Sequence, residues 1–154
     1  MNQETEAHQG NILIVDDTLA NLRLLSRMLS DRNYKVRSVI NGQMALMGIQ
    51  AAPPDLILLD IMMPDMDGYE VCQQLKANPQ THDIPVIFLS SLNEAFDKAK
   101  AFAVGGVDYN TQPFQVEQFL IRINNQFTIK STKAQLSVLK EELQSRLKQL
   151  KHEI

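Results

Sequence analysis

The stretch Ile12-Leu13-Ile14-Val15-Asp16-Asp17 is four apolar residues followed by two acids, and Leu56-Ile57-Leu58-Leu59-Asp60 has the same form with one acid. Short, wholly apolar runs are typical of strands buried on both faces of a parallel sheet. In open parallel sheets, ligands bind beyond the carboxyl ends of the strands. If these strands are neighbours, Asp16, Asp17 and Asp60 converge on one pocket. A hard divalent cation such as Mg2+ would relieve their mutual repulsion.

Around these runs, strand-like and helix-like segments alternate. The predicted strands cover about residues 11–15, 34–39, 56–60, 84–90 and 107–110. The predicted helices cover about residues 19–31, 42–52, 69–77 and 94–104, and a last helix starts at Pro113. Thr18 or Asp17 is expected to cap the first helix, and Asn93-Glu94 the fourth. This alternation predicts an α/β fold with right-handed crossovers and helices on both faces of a parallel sheet.

The composition is ordinary for a globular domain. The chain has 154 residues, of which 44% are hydrophobic and 21% charged. It contains no apolar run long enough to span a bilayer and no signal-peptide apolar region, so we expect a cytoplasmic protein that does not associate with membranes. A single cysteine, Cys72, excludes an intramolecular disulfide and is interpreted as a packing residue.

Charge is unevenly distributed along the chain. The net charge is −3, yet residues 130–154 carry +3 and residues 1–129 therefore carry −6. An acidic body argues against a nucleic-acid-binding surface. The basic excess of the C-terminal segment is small and mixed with Glu, which favours a solvated helix face over a nucleic-acid arm.

Several polar residues follow the predicted strands in a specific order. The acid pair comes after the first strand, Asp60 after the third, Ser90 after the fourth, and Tyr109 four residues before a Pro-Phe pair. Together these motifs resemble the receiver domain of two-component response regulators, over about residues 11–127. The resemblance implies a flavodoxin-like, doubly wound (βα)5 fold with a five-stranded parallel sheet in the order 2-1-3-4-5. The last helix is expected to be extended.

The resemblance also implies a role for each acid. Asp60 matches the phosphoacceptor. Asp17 matches a direct ligand of Mg2+ (or Mn2+), Asp16 a ligand acting largely through water, and Met62 a ligand through its backbone carbonyl. Taken alone, the acid pair could equally cap the first helix. The nearby Asp65 and Asp67 are interpreted as turn and cap residues of the third helix.

Three further positions correspond to residues that, in this family, take part in the response to phosphorylation of the phosphoacceptor. Ser90 matches the hydroxyl that contacts the phosphoryl group, and Tyr109 the aromatic residue that then turns inward. Without the resemblance, Ser90 could simply end a strand and Tyr109 could pack at the sheet edge. Gln112 occupies the position where the family has Lys. A neutral amide forms weaker hydrogen bonds to an anion than an ammonium group does, so we expect weakened coupling of phosphate to Ser90 and Tyr109.

The C-terminal segment continues as a helix with its own apolar stripe. This stripe, which we call the leucine stripe, consists of Leu136, Leu139, Leu143, Leu147 and Leu150. We expect a leader at residues 1–10, a receiver domain at 11–129 and a helical extension at 130–154. A parallel homodimeric coiled coil is favoured as the partner of the stripe, with folding back or fraying as the alternatives.

These observations favour a non-enzymatic signalling module. A histidine kinase or phosphotransfer protein would donate a phosphoryl group to Asp60 in the presence of Mg2+, and the C-terminal helix and dimer would transmit the state. One alternative is a pseudo-receiver that dimerises without phosphate, as the residue Gln112 suggests. Another is an Mg2+-dependent phosphohydrolase, which lacks a visible acid for protonating the leaving group.

Overall fold

The computed structural model describes residues 8–91 and 97–153, and in these ranges five strands alternate with five helices. The elements are β1 (Asn11–Val15), α1 (Leu19–Ser30), β2 (Lys35–Val39), α2 (Gly42–Ala51), β3 (Leu56–Asp60), α3 (Gly68–Ala77), β4 (Val86–Ser90), α4 (Lys98–Ala103), β5 (Asp108–Thr111) and α5 (Val116–Glu153). The strands pair in parallel in the order β2-β1-β3-β4-β5. The predicted flavodoxin-like fold with a long last helix is confirmed.

Burial separates the inner strands from the edge strands. Every residue of β3 and β4 is buried, as are four of the five residues of β1, whereas β2 and β5 are only partly covered. The inner strands are almost wholly apolar because helices cover both faces of the sheet. The pairing of β1 with β3 aligns Val15 with Leu59, so the residues that follow these strands emerge side by side.

Two helix caps agree with the sequence. The Asn41 side chain accepts a hydrogen bond from the Met44 N–H at 2.8 Å, and the Asp67 carboxylate accepts one from the Glu70 N–H at 2.9 Å. Such bonds satisfy backbone donors that the first turn of a helix leaves without a partner. The interpretation of Asp67 as a cap residue is therefore confirmed, and Asp65 lies in the preceding turn with a φ of 70°.

The cap of the first helix agrees with the prediction in position but not in bonding. Thr18 occupies the N-cap position, but its side chain makes no capping hydrogen bond. The Thr18 N–H donates to the Asp16 carboxylate at 2.9 Å, which fixes the turn between β1 and α1.

The fourth helix also begins later than predicted. It starts at Lys98, and the Asp97 carboxylate caps it by accepting a hydrogen bond from the Lys100 N–H at 3.0 Å. Asn93 and Glu94, the predicted cap residues, lie outside the described residues. The prediction overlooked Asp97, which precedes a short helix whose apolar spacing is weak.

The fourth strand and the last helix both begin later than predicted, and each predicted start lies near a proline. The fourth strand begins at Val86 because Pro85 has no N–H to donate to the sheet. Pro113 was expected in the first turn of the last helix, but α5 begins at Val116. The first helical bond there joins the Phe119 N–H to the Gln115 carbonyl, so the intervening residues form the turn that leaves β5.

Contacts along the chain define two compact units, Met1–Leu120 and Ile121–Ile154. The first contains the sheet. In the second, the leucine stripe is solvent-exposed, each of its side chains being 50–60% accessible. The predicted division at residues 129 and 130 stays a prediction, and both Ile154 and residues 1–7 of the leader lie outside the described residues. Within the described ranges, none of the helices has the length and apolar composition required to cross a bilayer.

Cys72 lies in the interior of the first unit. Its side chain is fully buried on α3, and its thiol donates to the Val104 carbonyl at 3.4 Å. Burial raises the pKa of the Cys72 thiol to about 11, against the opposing charge of Lys76. A thiol with this pKa stays protonated near neutral pH, which supports packing rather than nucleophilic chemistry.

The glycine that begins α3 generates a prediction about stability. A Cβ at Gly68 would lie 2.3 Å from the Asp60 carbonyl oxygen and 2.9 Å from the Ile61 Cα, both of which are backbone atoms. We expect Gly68→Ala to lower the free energy of unfolding by about 1–3 kcal/mol through this overpacking. Gly48→Ala is the matched control, because a Cβ there meets nothing within 4 Å inside α2. That control should gain about 0.5–1 kcal/mol from helix propensity. Urea unfolding of both variants measures the difference, and an unchanged Gly68→Ala would contradict the expected clash.

Candidate functional site

Three acids meet at the carboxyl ends of β1 and β3. Carboxylate oxygens of Asp16, Asp17 and Asp60 all lie within 4.8 Å of one another. Asp16 is 1% exposed and Asp60 8% exposed, whereas Asp17 is open to solvent. The structure thus brings together the three acids that the sequence predicted to converge. We call them the acid cluster.

Protein donors already hold both oxygens of the buried member of this cluster. The Thr18 N–H donates to Asp16 Oδ1 at 2.9 Å, and the Asn21 side-chain amide donates to Asp16 Oδ2 at 3.0 Å. Burial raises the pKa of the Asp16 carboxyl, these hydrogen bonds lower it, and the charge of Asp17 raises it further. The net upward direction shows that the charged form of Asp16 is under-compensated by the protein alone.

A cleft of about 320 Å3 opens above the acid cluster. Besides the three acids, it is lined by Thr18, Asn21, Met62, Leu89, Ser90, Ser91 and Gln112. All of these residues follow or end strands β1, β3, β4 and β5, or begin α1. None of the described residues that line the cleft is cationic, so this wall supplies no positive charge to oppose the acids.

The predicted switch residues occupy different surroundings. Ser90 is 2% exposed, and its hydroxyl lies 2.9 Å from the Thr111 hydroxyl on β5. Tyr109 is half-buried outside the set of residues that line the cleft. Its ring packs edge-on against Phe102 at 6.4 Å, and the Lys98 ammonium lies 5.2 Å from the ring centroid.

Gln112 bridges two elements that are distant in sequence. Its backbone N–H donates to the Ser90 carbonyl at 2.9 Å, which pins the end of β5 to the end of β4. Its side-chain amide donates to Asn21 Oδ1 on α1 at 2.7 Å. The side chain that replaces the expected Lys is therefore directed across the cleft and held by a neutral partner.

Sequence reasoning overlooked two residues of the site. Asn21 lies five residues after Asp16, in the first turn of α1, where a side chain can reach back to the strand end. Thr111 pairs in register with Ser90 across β4 and β5. Each would have been found by asking which polar side chains lie one helical turn or one strand pair from the predicted residues.

The donor set of the acid cluster fits a hard divalent cation. All the candidate ligand atoms are carboxylate oxygens, which Mg2+ prefers, and the exposed position of Asp17 leaves space for water on one side. A dication would offset both the mutual repulsion of the acids and the burial of Asp16. Asp65 and Asp67 are not part of this cluster among the described residues.

Comparison with known proteins places this geometry in context. Residues 12–124 match the family model of the response regulator receiver domain. The DNA-binding dual master transcriptional regulator RpaA of Synechocystis is 41% identical over 112 residues, covering 73% of this chain and 46% of that protein. The response regulator PleD of Caulobacter vibrioides is 39% identical over 116 residues, covering 75% of this chain and 26% of that protein. The chain therefore spans less than half the length of these relatives.

A solved structure agrees with the same grouping. The signal receiver domain of a signal transduction histidine kinase from Syntrophus aciditrophicus superimposes with a TM-score of 0.72 at 33% identity. The match covers 77% of this chain and 90% of that domain.

Proposed function

Because the chain belongs to the response regulator receiver domain family, we propose that it accepts a phosphoryl group on Asp60 from a histidine kinase or phosphotransfer protein. The observation that carries this proposal is the acid cluster, which lies at the carboxyl ends of neighbouring strands in a parallel sheet. That position is where open α/β sheets bind their ligands. The chain acts as a signalling module rather than as an enzyme on an external substrate.

Residues of the cleft would hold Mg2+, with Mn2+ as a substitute. Asp17, the solvent-exposed acid, would coordinate directly, Asp16 largely through water, and Met62 through its backbone carbonyl. Both oxygens of Asp16 already accept an N–H, which suits a water-mediated role. When bound, the cation would supply positive charge that offsets the repulsion between the carboxylates and an incoming phosphoryl group.

Asp60 is the nucleophile of the proposed reaction. An oxygen of its carboxylate forms a bond to phosphorus, while the bond from phosphorus to the donor histidine nitrogen breaks and its electron pair returns to the imidazole. The transition state of phosphoryl transfer is loose, so positioning and charge compensation contribute most of the acceleration. Asp60 is only 8% exposed, and its backbone ends strand β3, so the sheet places this carboxylate at the cleft.

Ser90 and Tyr109 would transmit the phosphorylated state. For Ser90 to contact a phosphoryl group on Asp60, its hydroxyl must direct its proton at the phosphoryl oxygen, so that Thr111 becomes the donor in the bond between the two hydroxyls. Tyr109 would then leave its contact with Phe102 and turn inward. These movements link the cleft to β5 and α4.

The partners that we propose are proteins. The acidic body of the chain disfavours nucleic acid, and we infer that any DNA binding in relatives belongs to segments that this chain does not span. We also propose a cytoplasmic location, where histidine kinases present their phosphorylated domains.

A second candidate function follows from Gln112. The cleft wall lacks a cation among the described residues, and the Gln112 amide is already engaged with Asn21. A pseudo-receiver that keeps the fold and acts without phosphate would show this arrangement. The two functions differ in whether Asp60 becomes phosphorylated.

The leucine stripe of α5 provides a means of association. Its five leucines lie on one side of the helix at spacings of three and four residues and are 50–60% exposed. We propose that two copies bury these stripes against each other in a parallel coiled coil.

Phosphorylation at a single residue is the first prediction of this proposal. Incubation with Mg2+ and a small phosphodonor should add the mass of one phosphoryl group to the intact chain. Asp60→Asn removes the nucleophilic carboxylate and should abolish the mass increase, while Asp65→Asn, an exposed acid outside the cluster, should preserve it. Intact mass spectrometry distinguishes these outcomes. An unmodified wild-type chain would favour the pseudo-receiver.

The second prediction concerns the strength of the switch. Gln112→Lys should enlarge the change in the Tyr109 NMR signals on binding a beryllofluoride phosphate analogue, because an ammonium group interacts more strongly with the anion. Gln115→Lys adds the same charge at an exposed position outside the cleft lining and should respond like the wild type. An equal response of Gln112→Lys and the wild type would overturn the idea of weakened coupling.

The third prediction concerns self-association. Leu143→Asp places a charge in the proposed coiled-coil seam and should shift the chain from dimer to monomer. Ser145→Asp introduces the same charge two residues away, on the opposite side of α5, and should leave the dimer intact. Sedimentation equilibrium measures both masses. A wild-type chain that is monomeric at high concentration would refute the coiled coil.

A further inference from the structure

A continuous chain of amide hydrogen bonds joins the end of β5 to the acid cluster. The Gln112 amide donates to Asn21 Oδ1 at 2.7 Å, and the Asn21 amide donates to Asp16 Oδ2 at 3.0 Å. Every donor in this chain points toward the carboxylate. Gln112 and Asn21, which are 91 positions apart, are bonded directly, and Asn21 links Gln112 to Asp16. We call this chain the amide bridge.

The amide bridge determines which way the Asn21 side chain faces. An asparagine amide has an accepting oxygen on one side and a donating NH2 on the other. Because the Gln112 NH2 occupies the oxygen side, the NH2 of Asn21 is directed at Asp16. The opposite orientation would bring two NH2 groups together and point an oxygen at the carboxylate.

With this orientation fixed, the Asp16 carboxylate is held at both ends. The Thr18 backbone holds Oδ1, and Asn21 holds Oδ2. Each carboxylate oxygen retains lone-pair capacity for water or a cation after accepting one N–H. The carboxylate is therefore held in place by two protein donors while one of its oxygens lies within 4.8 Å of oxygens of Asp17 and Asp60.

From this geometry we propose that Gln112 is a positioning residue for divalent-cation binding, acting on Asp16 through Asn21. The inference rests on the proposed function, in which the acid cluster holds Mg2+. A neutral glutamine cannot supply the charge of a lysine at this position, but its NH2 group donates to Asn21 Oδ1 and thereby holds the Asn21 amide in the orientation that directs its own NH2 at Asp16. Outer residues that orient ligands in this way alter metal affinity without touching the metal.

Mg2+ titration by calorimetry, without any phosphodonor, tests the proposal. Gln112→Met keeps the approximate length of the side chain but removes its donor, and the affinity for Mg2+ should fall about tenfold. Gln115→Met is the matched control, because Gln115 is exposed and does not line the cleft. It should bind like the wild type. The free energy of unfolding of each variant is also measured in the presence of a chelator. If Gln112 positions Asn21, the affinity for Mg2+ should fall while this free energy stays nearly constant.

A double-mutant cycle tests whether Gln112 acts on Mg2+ binding through Asn21. Asn21→Ala should weaken Mg2+ binding to a similar degree, and the double variant with Gln112→Met should be no weaker than the poorer single variant. Asn21→Ala also tests the bridge if Gln112→Met does not fold. Unchanged affinity in Gln112→Met, or losses that simply add, would overturn the inference while leaving the proposed function intact. A wild-type chain that fails to bind Mg2+ would overturn both.

Discussion

The repulsion among three carboxylates is the constraint on which the site depends. Asp16, Asp17 and Asp60 hold their oxygens within 4.8 Å of one another, and two of the three are nearly excluded from water. Such an arrangement destabilises the fold unless charge is compensated. The protein compensates in part, through N–H donors on Asp16, yet the pKa of that carboxyl remains raised. The remaining imbalance supports the proposal that the cluster binds a dication.

The register of the strands brings the three acids together. Pairing of β1 with β3 places Val15 beside Leu59, so each strand delivers its following acid to the same edge. Every residue of β3 and β4 is buried, so the strands that carry this edge lie within the packed interior of the sheet. Close packing of Gly68 against the Asp60 carbonyl adds a local constraint at the same point. Core packing and site geometry are therefore set by the same strands.

Gln112 shows how one substitution can redirect a polar network. The neutral Gln112 amide cannot form an ion pair in the cleft, and its NH2 group donates a hydrogen bond to Asn21. The consequence is a cleft whose described lining is acidic and neutral only. Two neighbouring residues at the end of β5 contact different sides of the cleft: the Thr111 hydroxyl contacts Ser90, while the Gln112 amide donates to Asn21, which holds Asp16.

The sequence by itself determined the alternation of strands and helices, the parallel sheet and the acids of the cluster, because buried strands leave short apolar runs that end in these acids. The strand order and the departure at Gln112 were expected only from the resemblance to the receiver family. Only the tertiary structure revealed the roles of Asn21 and Thr111, whose contacts depend on how α1 and β5 lie against neighbouring strands. It likewise showed that α1 lacks a side-chain cap and that Asp97 caps α4, since local propensity does not show which side chain reaches a backbone N–H. The pattern of apolar residues in a sequence indicates which segments are buried. Side-chain hydrogen bonds between residues that are distant in sequence form only after the chain has packed.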